Sequence, residues 1–358
     1  MNKIHFKSDQ VDEKEFVNNL RKNVNDYFKT NHISTKANAA MVFKTIVMVL
    51  LYIVPFVIIL TVPMSALAAM GLCIVMGIGI AGVGMSVMHD ACHGAYSKKH
   101  WVNSILGGSL YLLGSNVLNW KIQHNVLHHT YTNISGFDED INAKGPIRLA
   151  KETPVKKHHR FQFIFAFLFY GMMTIAKLIN DFPNLFKYNK KGLVREQHGN
   201  VRVEFVKMAI RKLLYITIVF GLPLWLTNFK WYQLLIGFLI MHWVASMILS
   251  FVFQLAHVVE GAEQPFEENE NYSNWHVHQL KTTSDFARHN KLLGWYIGGL
   301  NFQIEHHLFP NICHIHYNKI APIVEKTVLE FGFPYNLKPS FTNAFLSHIK
   351  MLKQLGVS

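Results

Sequence analysis

Two long apolar stretches dominate the hydrophobic pattern of the chain. From Thr45 to Met88 no residue is charged, and as a helix this run would be about 66 Å long, roughly twice the hydrocarbon thickness of a bilayer. Because Pro63-Met64-Ser65 interrupts the run near its middle, it predicts two membrane spans joined by a tight turn. A second pair of spans is predicted over residues 213–228 and 231–256, with Lys230 between them.

Two further apolar stretches, residues 101–120 and 161–179, have aromatic or basic residues at their borders, which is typical of helices that lie in the membrane interface. Of the 35 Lys and Arg residues, only Lys230 lies in a predicted turn between two spans. Since cytoplasmic segments carry the excess of basic residues, both termini and the region between the two hairpins are expected on the cytoplasmic side.

The pattern therefore predicts an all-α integral membrane protein with two transmembrane helical hairpins, interfacial helices and a cytoplasmic cap. Five segments are expected in chain order. They are a polar N-terminal segment (1–44), a first hairpin (45–88), a cytoplasmic and interfacial region (89–212), a second hairpin (213–256) and the cap (257–358).

Composition and charge agree with a membrane protein. Half of the residues are hydrophobic and only 16% are charged, below the roughly 25% typical of soluble domains. The net charge of +13 comes from basic residues that flank apolar segments, which favours a membrane surface over nucleic acid as the partner. The three cysteines form no CxxC pair, so neither a disulfide framework nor a thiolate metal site is expected. No basic-then-apolar start indicates a cleaved signal peptide.

Among the 21 histidines, three clusters have the spacing of metal ligands. They are an HxxxH motif at 89–93, an HxxxHH motif at 124–129 and a QxxHH motif at 303–307. Spacings of three and four residues place side chains on one face of a helix, and neutral imidazole is a good ligand for iron, zinc and copper. Because all three clusters are expected on the same side of the membrane, they predict one metal centre built mainly from nitrogen donors.

The remaining histidines fall into separate groups. His257 follows the fourth span and is a candidate additional ligand, whereas His242 lies within that span and is expected to be a hydrogen-bonded core residue. Eight others are expected at the surface: His5, His32, His100, His158, His159, His198, His289 and His348. Four more form two HxH pairs, for which a supporting or donor-docking role stays open: His276, His278, His314 and His316.

Metal-bound imidazoles usually donate their second N–H to a carboxylate or carbonyl. The candidate acids for this role are Asp90 and Glu305, which lie inside the clusters, and Asp138, which follows the second one closely, next to Glu139 and Asp140. No Glu-x-x-His pair occurs, so the carboxylate-bridged metal site of soluble di-iron bundles is not expected.

The three histidine motifs, their order and the two spans between the second and the third resemble those of the membrane fatty acid desaturases. The third motif, with Gly298-Gly299-Leu300-Asn301-Phe302 before it and Leu308-Phe309-Pro310 after it, is similar to that of the front-end acyl desaturases in particular. The similarity covers roughly residues 40–325. It implies four spanning helices below a cytoplasmic cap, and two non-haem iron ions that use dioxygen to introduce a cis double bond into an acyl chain.

On matching positions, the resemblance implies eight histidine ligands, with Gln303 standing where other branches have a histidine. The implied ligands are His89, His93, His124, His128, His129, His257, His306 and His307. Many eukaryotic front-end enzymes carry a fused b-type cytochrome domain, and no His-Pro-Gly-Gly haem motif occurs here. A separate electron donor, either ferredoxin or a free b-type cytochrome with its reductase, is therefore implied. The implied substrate is an acyl-lipid or acyl-thioester, and the implied location is a bacterial inner membrane.

Two alternative functions remain at the level of the sequence. A fatty acyl or alkane hydroxylase would share the motifs and the metals but would insert oxygen into the C–H bond. A histidine-rich metal transporter would need polar or ionisable residues along its spans. The first predicted hairpin has no charged residue, which disfavours the transporter.

Overall fold

The computed structural model describes residues 4, 6, 11–141, 145–265 and 274–357. In this part of the chain nearly all regular structure is helical, and we number the helices α1 to α15 in chain order. Four of them are long and apolar enough to cross a membrane, as the sequence predicted. They are α2 (Ala39–Thr61), α3 (Ala66–Cys92), α9 (Val201–Leu226) and α10 (Trp231–His257).

The first hairpin breaks where the sequence predicted a turn. α2 ends at Thr61, and Pro63 lies in the short connection before α3. The Ser65 side chain then accepts a hydrogen bond from the backbone nitrogen of Ala68 at 3.2 Å. A serine in this position satisfies one of the free amide groups at a helix start, so α3 begins at a defined residue.

α3 is the central helix of the membrane bundle, because two glycines let neighbouring helices approach it closely. A Cβ at Gly77 would lie 2.5 Å from the carbonyl oxygen of Met241 in α10. A Cβ at Gly79 would lie 2.7 Å from the backbone nitrogen of Tyr52 in α2. Small residues at helix crossings are typical of packing within membranes. α3 is thus held on two sides, and this fixes the C-terminal end that carries His89.

Shorter helices occupy the region between the two hairpins. They are α4 (His100–Gly107), α5 (Val117–Lys121), α6 (Lys157–Tyr170), α7 (Met173–Lys190) and α8 (Leu193–Glu196). α6 and α7 meet at an angle of 82°. The side chains of Ile164 and Leu168 on α6 are exposed, as expected for a helix in contact with lipid. The interfacial position of residues 101–120 and 161–179 stays a prediction.

α9 begins at Val201, earlier than the apolar run that starts at Leu213. Its first turns carry charged residues, and hydropathy alone detects only the later, apolar part of the helix. The early part is held by a buried ion pair, in which Lys212 Nζ lies 2.8 Å from Asp181 Oδ2 of α7. The helix of the third span is therefore longer than its apolar run, and the additional N-terminal turns are polar.

The C-terminal part forms a cap of short elements. Its helices are α11 (Trp275–Thr282), α12 (Lys291–Tyr296), α13 (Gln303–Leu308), α14 (Tyr317–Glu330) and α15 (Phe341–Leu355). A two-residue strand, β1 (Asp285–Phe286), pairs in parallel with β2 (Leu337–Lys338). The N-terminal helix α1 (Val11–Thr30) packs against α14 through an apolar core that includes Phe16, Leu20 and Val324. The cap thereby holds α13, which carries the third histidine motif.

Candidate metal centre

The first two histidine motifs adjoin stretches of π-helix. α3 is π-helical over Val83–Met88, immediately before His89, and α5 continues as a π-helix over Ile122–His128. In a π-helix the backbone hydrogen bond spans five residues instead of four, and such turns are frequent at functional sites. The rings of His124 and His128 lie nearly parallel, with centroids 5.3 Å apart. The sequence predicted an ordinary helical face here and did not reveal the wider turn.

Four imidazoles form a first histidine group, which consists of His89, His93, His124 and His306. Each offers a ring nitrogen, and these nitrogens all lie within 4.8 Å of one another. The Nε2 atoms of His89 and His124 are 3.0 Å apart. Two nitrogens that bind one metal ion at about 2.1 Å and at a right angle would be separated by about 3 Å. The spacing of the first group is therefore suited to a single ion.

Three fully buried imidazoles form a second histidine group, which consists of His128, His257 and His307. The ring centroid of His128 lies 4.7 Å from that of His257 and 4.9 Å from that of His307. The last two centroids are also 4.9 Å apart. These side chains come from the second motif, the end of α10 and the third motif, so the group forms only when the cap is folded onto the spans.

His129 lies between the two histidine groups. Its Nε2 is 3.3 Å from Nε2 of His124 in the first group. Its ring stacks on that of His307 in the second group, with centroids 4.4 Å apart. All eight histidines proposed as ligands thus converge in two adjoining groups.

The ring nitrogens of these histidines are suited to metal binding. Seven of the eight have a buried ring nitrogen without a hydrogen-bond partner in the described part of the chain. These atoms are His89 Nδ1, His93 Nε2, His128 Nε2, His129 Nδ1, His257 Nε2, His306 Nε2 and His307 Nε2. A buried polar atom without a partner costs about 1–3 kcal/mol, and metal coordination would remove this cost at the five Nε2 atoms of this set. Imidazole donors suit iron, zinc and copper.

Four of the imidazoles use their other nitrogen, Nδ1, for a hydrogen bond. The pairs are His128 with Asp138 (2.9 Å), His307 with Gln279 Oε1 (2.7 Å), His306 with the Tyr317 hydroxyl (3.3 Å) and His257 with the Thr282 carbonyl (3.4 Å). This arrangement directs Nε2 toward a metal and fixes the ring. Among the partners only Asp138 was predicted. Gln279, Tyr317 and Thr282 lie in no histidine motif, and nothing in the sequence distinguishes them.

The electrostatic surroundings keep most of these imidazoles neutral. Burial lowers the pKa of His124, His306 and His307 well below its usual value, and neighbouring imidazoles lower it further. A neutral ring retains the lone pair that binds a metal. His128 differs, because burial disfavours its charged form but the carboxylate of Asp138 raises its pKa above the usual value.

The other two candidate acids make their hydrogen bonds elsewhere. Asp90 Oδ2 accepts a hydrogen bond from Nδ1 of His314 at 2.9 Å. Glu305 Oε1 accepts one from the Tyr335 hydroxyl at 2.9 Å. Each acid directly adjoins a clustered histidine in the sequence, and successive residues of a helix point about 100° apart. Neither carboxylate has a hydrogen bond to a clustered imidazole in the described residues.

Several of the other histidines were assigned correctly from the sequence. His242 is buried, with Nδ1 at 2.9 Å from Thr174 Oγ1 and Nε2 at 2.8 Å from the Tyr215 hydroxyl, so the prediction of a hydrogen-bonded core residue is confirmed. Five predicted surface histidines are exposed: His32, His100, His158, His198 and His289. His5 lies outside the described residues.

The surface prediction was wrong for His159 and His348, which are buried. His159 Nδ1 accepts a hydrogen bond from the backbone nitrogen of Lys156 at 3.0 Å. His348 donates to the Val258 carbonyl at 2.7 Å, so it joins α15 to the end of α10. Tertiary packing buries both side chains, and their local sequence does not show it. The four histidines of the HxH pairs are also buried.

A cavity of about 590 Å³ adjoins the first histidine group. His89, His124 and His306 form part of its wall, and Gln303, which lies beside His257, also lines it. Most of the remaining wall is apolar and includes Met85, Met88, Leu110, Leu113, Leu249 and Val252. The wall contains more aliphatic side chains than Phe and Trp residues, and its apolar lining suits an acyl chain.

The fold and the site define a membrane protein of several spans, with a buried, histidine-rich candidate metal centre beside an apolar cavity. The family model described as fatty acid desaturase matches residues 65–339. The chain belongs to this family, and the resemblance noted in the sequence is confirmed. It is therefore an oxidoreductase of lipid metabolism.

Individual relatives are of the front-end type. The chain is 33% identical to sn-1 linoleoyl-lipid 6-desaturase of Arthrospira platensis, over 96% of this chain and 93% of the relative. It is 33% identical to an acyl-lipid (8-3)-desaturase of Physcomitrium patens, over 97% of this chain and 73% of the relative. It is 35% identical to Delta(5) fatty acid desaturase A of Dictyostelium discoideum, over 76% of this chain and 60% of the relative.

Proposed function

We propose that this desaturase introduces a cis double bond between an existing double bond and the carboxyl end of a lipid-bound acyl chain, at two iron ions. The observation that carries the proposal is the pair of adjoining groups of buried imidazoles beside an apolar cavity. Similarity to the linoleoyl-lipid 6-desaturase and the Delta(5) desaturase supports the front-end position and the lipid-bound substrate.

The first histidine group would hold one iron and the second group the other, with His129 between them and Gln303 as a further candidate ligand. Bound iron supplies the redox chemistry with dioxygen that no side chain can perform. Asp138 and Gln279 keep the rings of His128 and His307 in orientation. The apolar cavity places the acyl chain against the first group and excludes water from the reacting carbons.

The overall reaction requires partners beyond the lipid. Two hydrogens leave adjacent methylene carbons, and dioxygen takes them up together with two electrons and two protons to give two water molecules. Ferredoxin, or a free b-type cytochrome with its reductase, would deliver the electrons from outside the chain.

The four candidate spans and the charge pattern support a topology. An even number of spans would put both termini on one side, and the basic residues support the cytoplasm as that side. The histidine groups lie at the ends of α3 and α10 that adjoin the cytoplasmic segments. We propose an inner-membrane location in a bacterium, supported by the similarity to the cyanobacterial relative from Arthrospira platensis.

The test is expression in a host that lacks this activity, with gas chromatography of the cellular fatty acids after feeding linoleate. We expect a new double bond on the carboxyl side of the existing ones. A hydroxylated product would instead identify a hydroxylase, and unsaturation only toward the methyl end would contradict the front-end position.

Three single variants and one control complete this test. His89→Ala, His128→Ala and His307→Ala are expected to abolish the product while the protein remains folded in the membrane. His198→Ala removes an exposed histidine and should leave the product unchanged. Product at the unmodified level in any of the first three would contradict the ligand assignment.

A further inference from the structure

Gln254 is a polar residue in a membrane helix, and its amide oxygen has no hydrogen-bond partner in the described residues. It lies in α10, is 6% exposed and lines the apolar cavity. Its Oε1 is buried and has no hydrogen-bond partner in the described residues. A buried amide oxygen without a hydrogen-bond partner is destabilising. A polar residue kept inside a membrane protein at such a cost usually serves function.

Neighbouring polar side chains on the same wall differ from Gln254. Ser250, one turn earlier in α10, donates to the Tyr170 carbonyl at 3.2 Å. Thr174 Oγ1 lies 2.7 Å from Ser246 Oγ. These groups are satisfied by the protein itself, whereas Oε1 of Gln254 has no hydrogen-bond partner in the described residues.

The position of Gln254 relative to the metal centre restricts what it can bind. It precedes His257 by three residues, so the two residues lie on neighbouring sides of α10 and their Cα atoms are about 4.5 Å apart along the helix axis. In an extended acyl chain, the ester carbonyl carbon and carbon 5 or 6 are separated by four or five bonds of about 1.5 Å, which span about 5–6 Å. A carbonyl bound about one helical turn from a candidate metal ligand would thus leave carbon 5 or 6 near the metal centre.

We propose that the Gln254 amide donates a hydrogen bond to the ester carbonyl oxygen of the substrate and so sets the distance from the carboxyl end to the metals. Rotation of the glutamine amide by 180° exchanges its oxygen and its NH₂ group, so the position of the unpaired oxygen can be taken by a donor that faces the ester carbonyl. The inference rests on the proposed front-end function, and it makes Gln254 a residue that determines where along the chain the double bond is placed.

The test measures binding without turnover. Metal-loaded protein in detergent, under nitrogen and without an electron donor, is titrated with methyl linoleate and with linoleyl methyl ether, which has CH₂ in place of the carbonyl. The unmodified protein should bind the ester about fivefold more tightly, the value of one hydrogen bond. Gln254→Met and Gln254→Leu should bind both ligands equally and should melt at the same or a higher temperature, because they remove an unpaired buried amide.

Gln233→Met is the matched control, since Gln233 lies at the opposite end of α10 and its Oε1 accepts from the backbone nitrogen of Lys230 at 2.8 Å. It should keep the preference for the ester. Absence of that preference in the unmodified protein, or its persistence in Gln254→Met, would overturn the proposal. So would failure of both Gln254 variants to fold, because this amide would then be structural. The fatty acid profile tests the proposed function separately, since binding here requires no product.

Discussion

Asp138 Oδ2 accepts a hydrogen bond from Nδ1 of His128 at 2.9 Å, and both side chains are fully buried. The same oxygen also accepts from the backbone nitrogen of Asn133 at 2.9 Å, and Oδ1 accepts from that of Asp140 at 3.0 Å. The orientation of the His128 ring is thereby tied to the loop that follows the second motif. Its Nε2 has no hydrogen-bond partner in the described residues and is available to a metal.

Asp138→Asn should weaken metal binding at the second histidine group. The amide keeps one acceptor but loses the charge that orients His128 and raises the basicity of its ring. Loss of such a partner typically costs 10–100-fold in metal affinity. Competition with a chelator, followed by measurement of the retained iron, tests this expectation. Glu152→Gln changes an exposed acid and serves as control; equal iron retention in both variants would contradict the role of Asp138.

Gln279→Leu should also weaken metal binding at the second histidine group, because Gln279 lies in the cap and holds the ring of His307. Gln279 Oε1 lies 2.7 Å from His307 Nδ1 and accepts from the Thr132 hydroxyl at 2.8 Å. Leucine removes this acceptor and releases the His307 ring, so we expect at least tenfold less desaturated product and loss of one of the two proposed iron ions. Gln279→Glu keeps an acceptor and should retain both irons. Full iron occupancy in Gln279→Leu would refute the assignment.

The sequence predicted the spans and the histidine groups because both depend on local patterns. A charge-free run such as 45–88 has few folded alternatives. The spacing within the motifs identified seven of the eight histidines that converge, and His257 was identified by its position after the fourth span. The sequence did not predict the start of α9 at Val201, because the charged residues of its first turns lower the mean hydropathy there.

The supporting residues could not be predicted, because they come from distant parts of the chain. Gln279 meets His307 only when α11 packs against α13, and His348 becomes buried only when α15 packs at the end of α10. Asp90 and Glu305, which adjoin clustered histidines in the sequence, form hydrogen bonds with His314 and Tyr335. Asp90 of α3 contacts His314 of the cap, since a helix turns adjacent side chains in different directions.

His242→Leu tests whether the buried hydrogen bonds between the spans are independent of the metal centre. His242→Leu leaves the Tyr215 and Thr174 hydroxyls without their imidazole partner, which should cost about 1–3 kcal/mol of stability. Iron content should stay at the unmodified level, because His242 belongs to neither histidine group. Thermal melting and metal analysis of the same sample test both statements. A loss of iron without a loss of stability would assign His242 to the metal centre.

His348→Asn should make the protein less sensitive to acid. Burial lowers the pKa of His348 to about 4, whereas the unfolded chain has a histidine pKa of about 6.5. The unfolded state thus binds a proton first as the pH falls, so this residue's contribution to stability is complete above pH 6.5 and is lost toward pH 4. Between pH 7.5 and pH 5 the loss is about 2 kcal/mol.

Asparagine cannot titrate, but its amide can still donate to the Val258 carbonyl, which His348 meets at 2.7 Å. At pH 7.5 the variant should be the less stable protein, because the hydrogen bond between His348 Nε2 and the Tyr170 hydroxyl, 3.0 Å long, is lost. At pH 5 the difference should shrink or reverse. Melting temperatures at the two pH values measure this change, with the exposed His32→Asn as control. Parallel decreases in the His348 variant and the unmodified protein would show that His348 does not contribute to acid sensitivity.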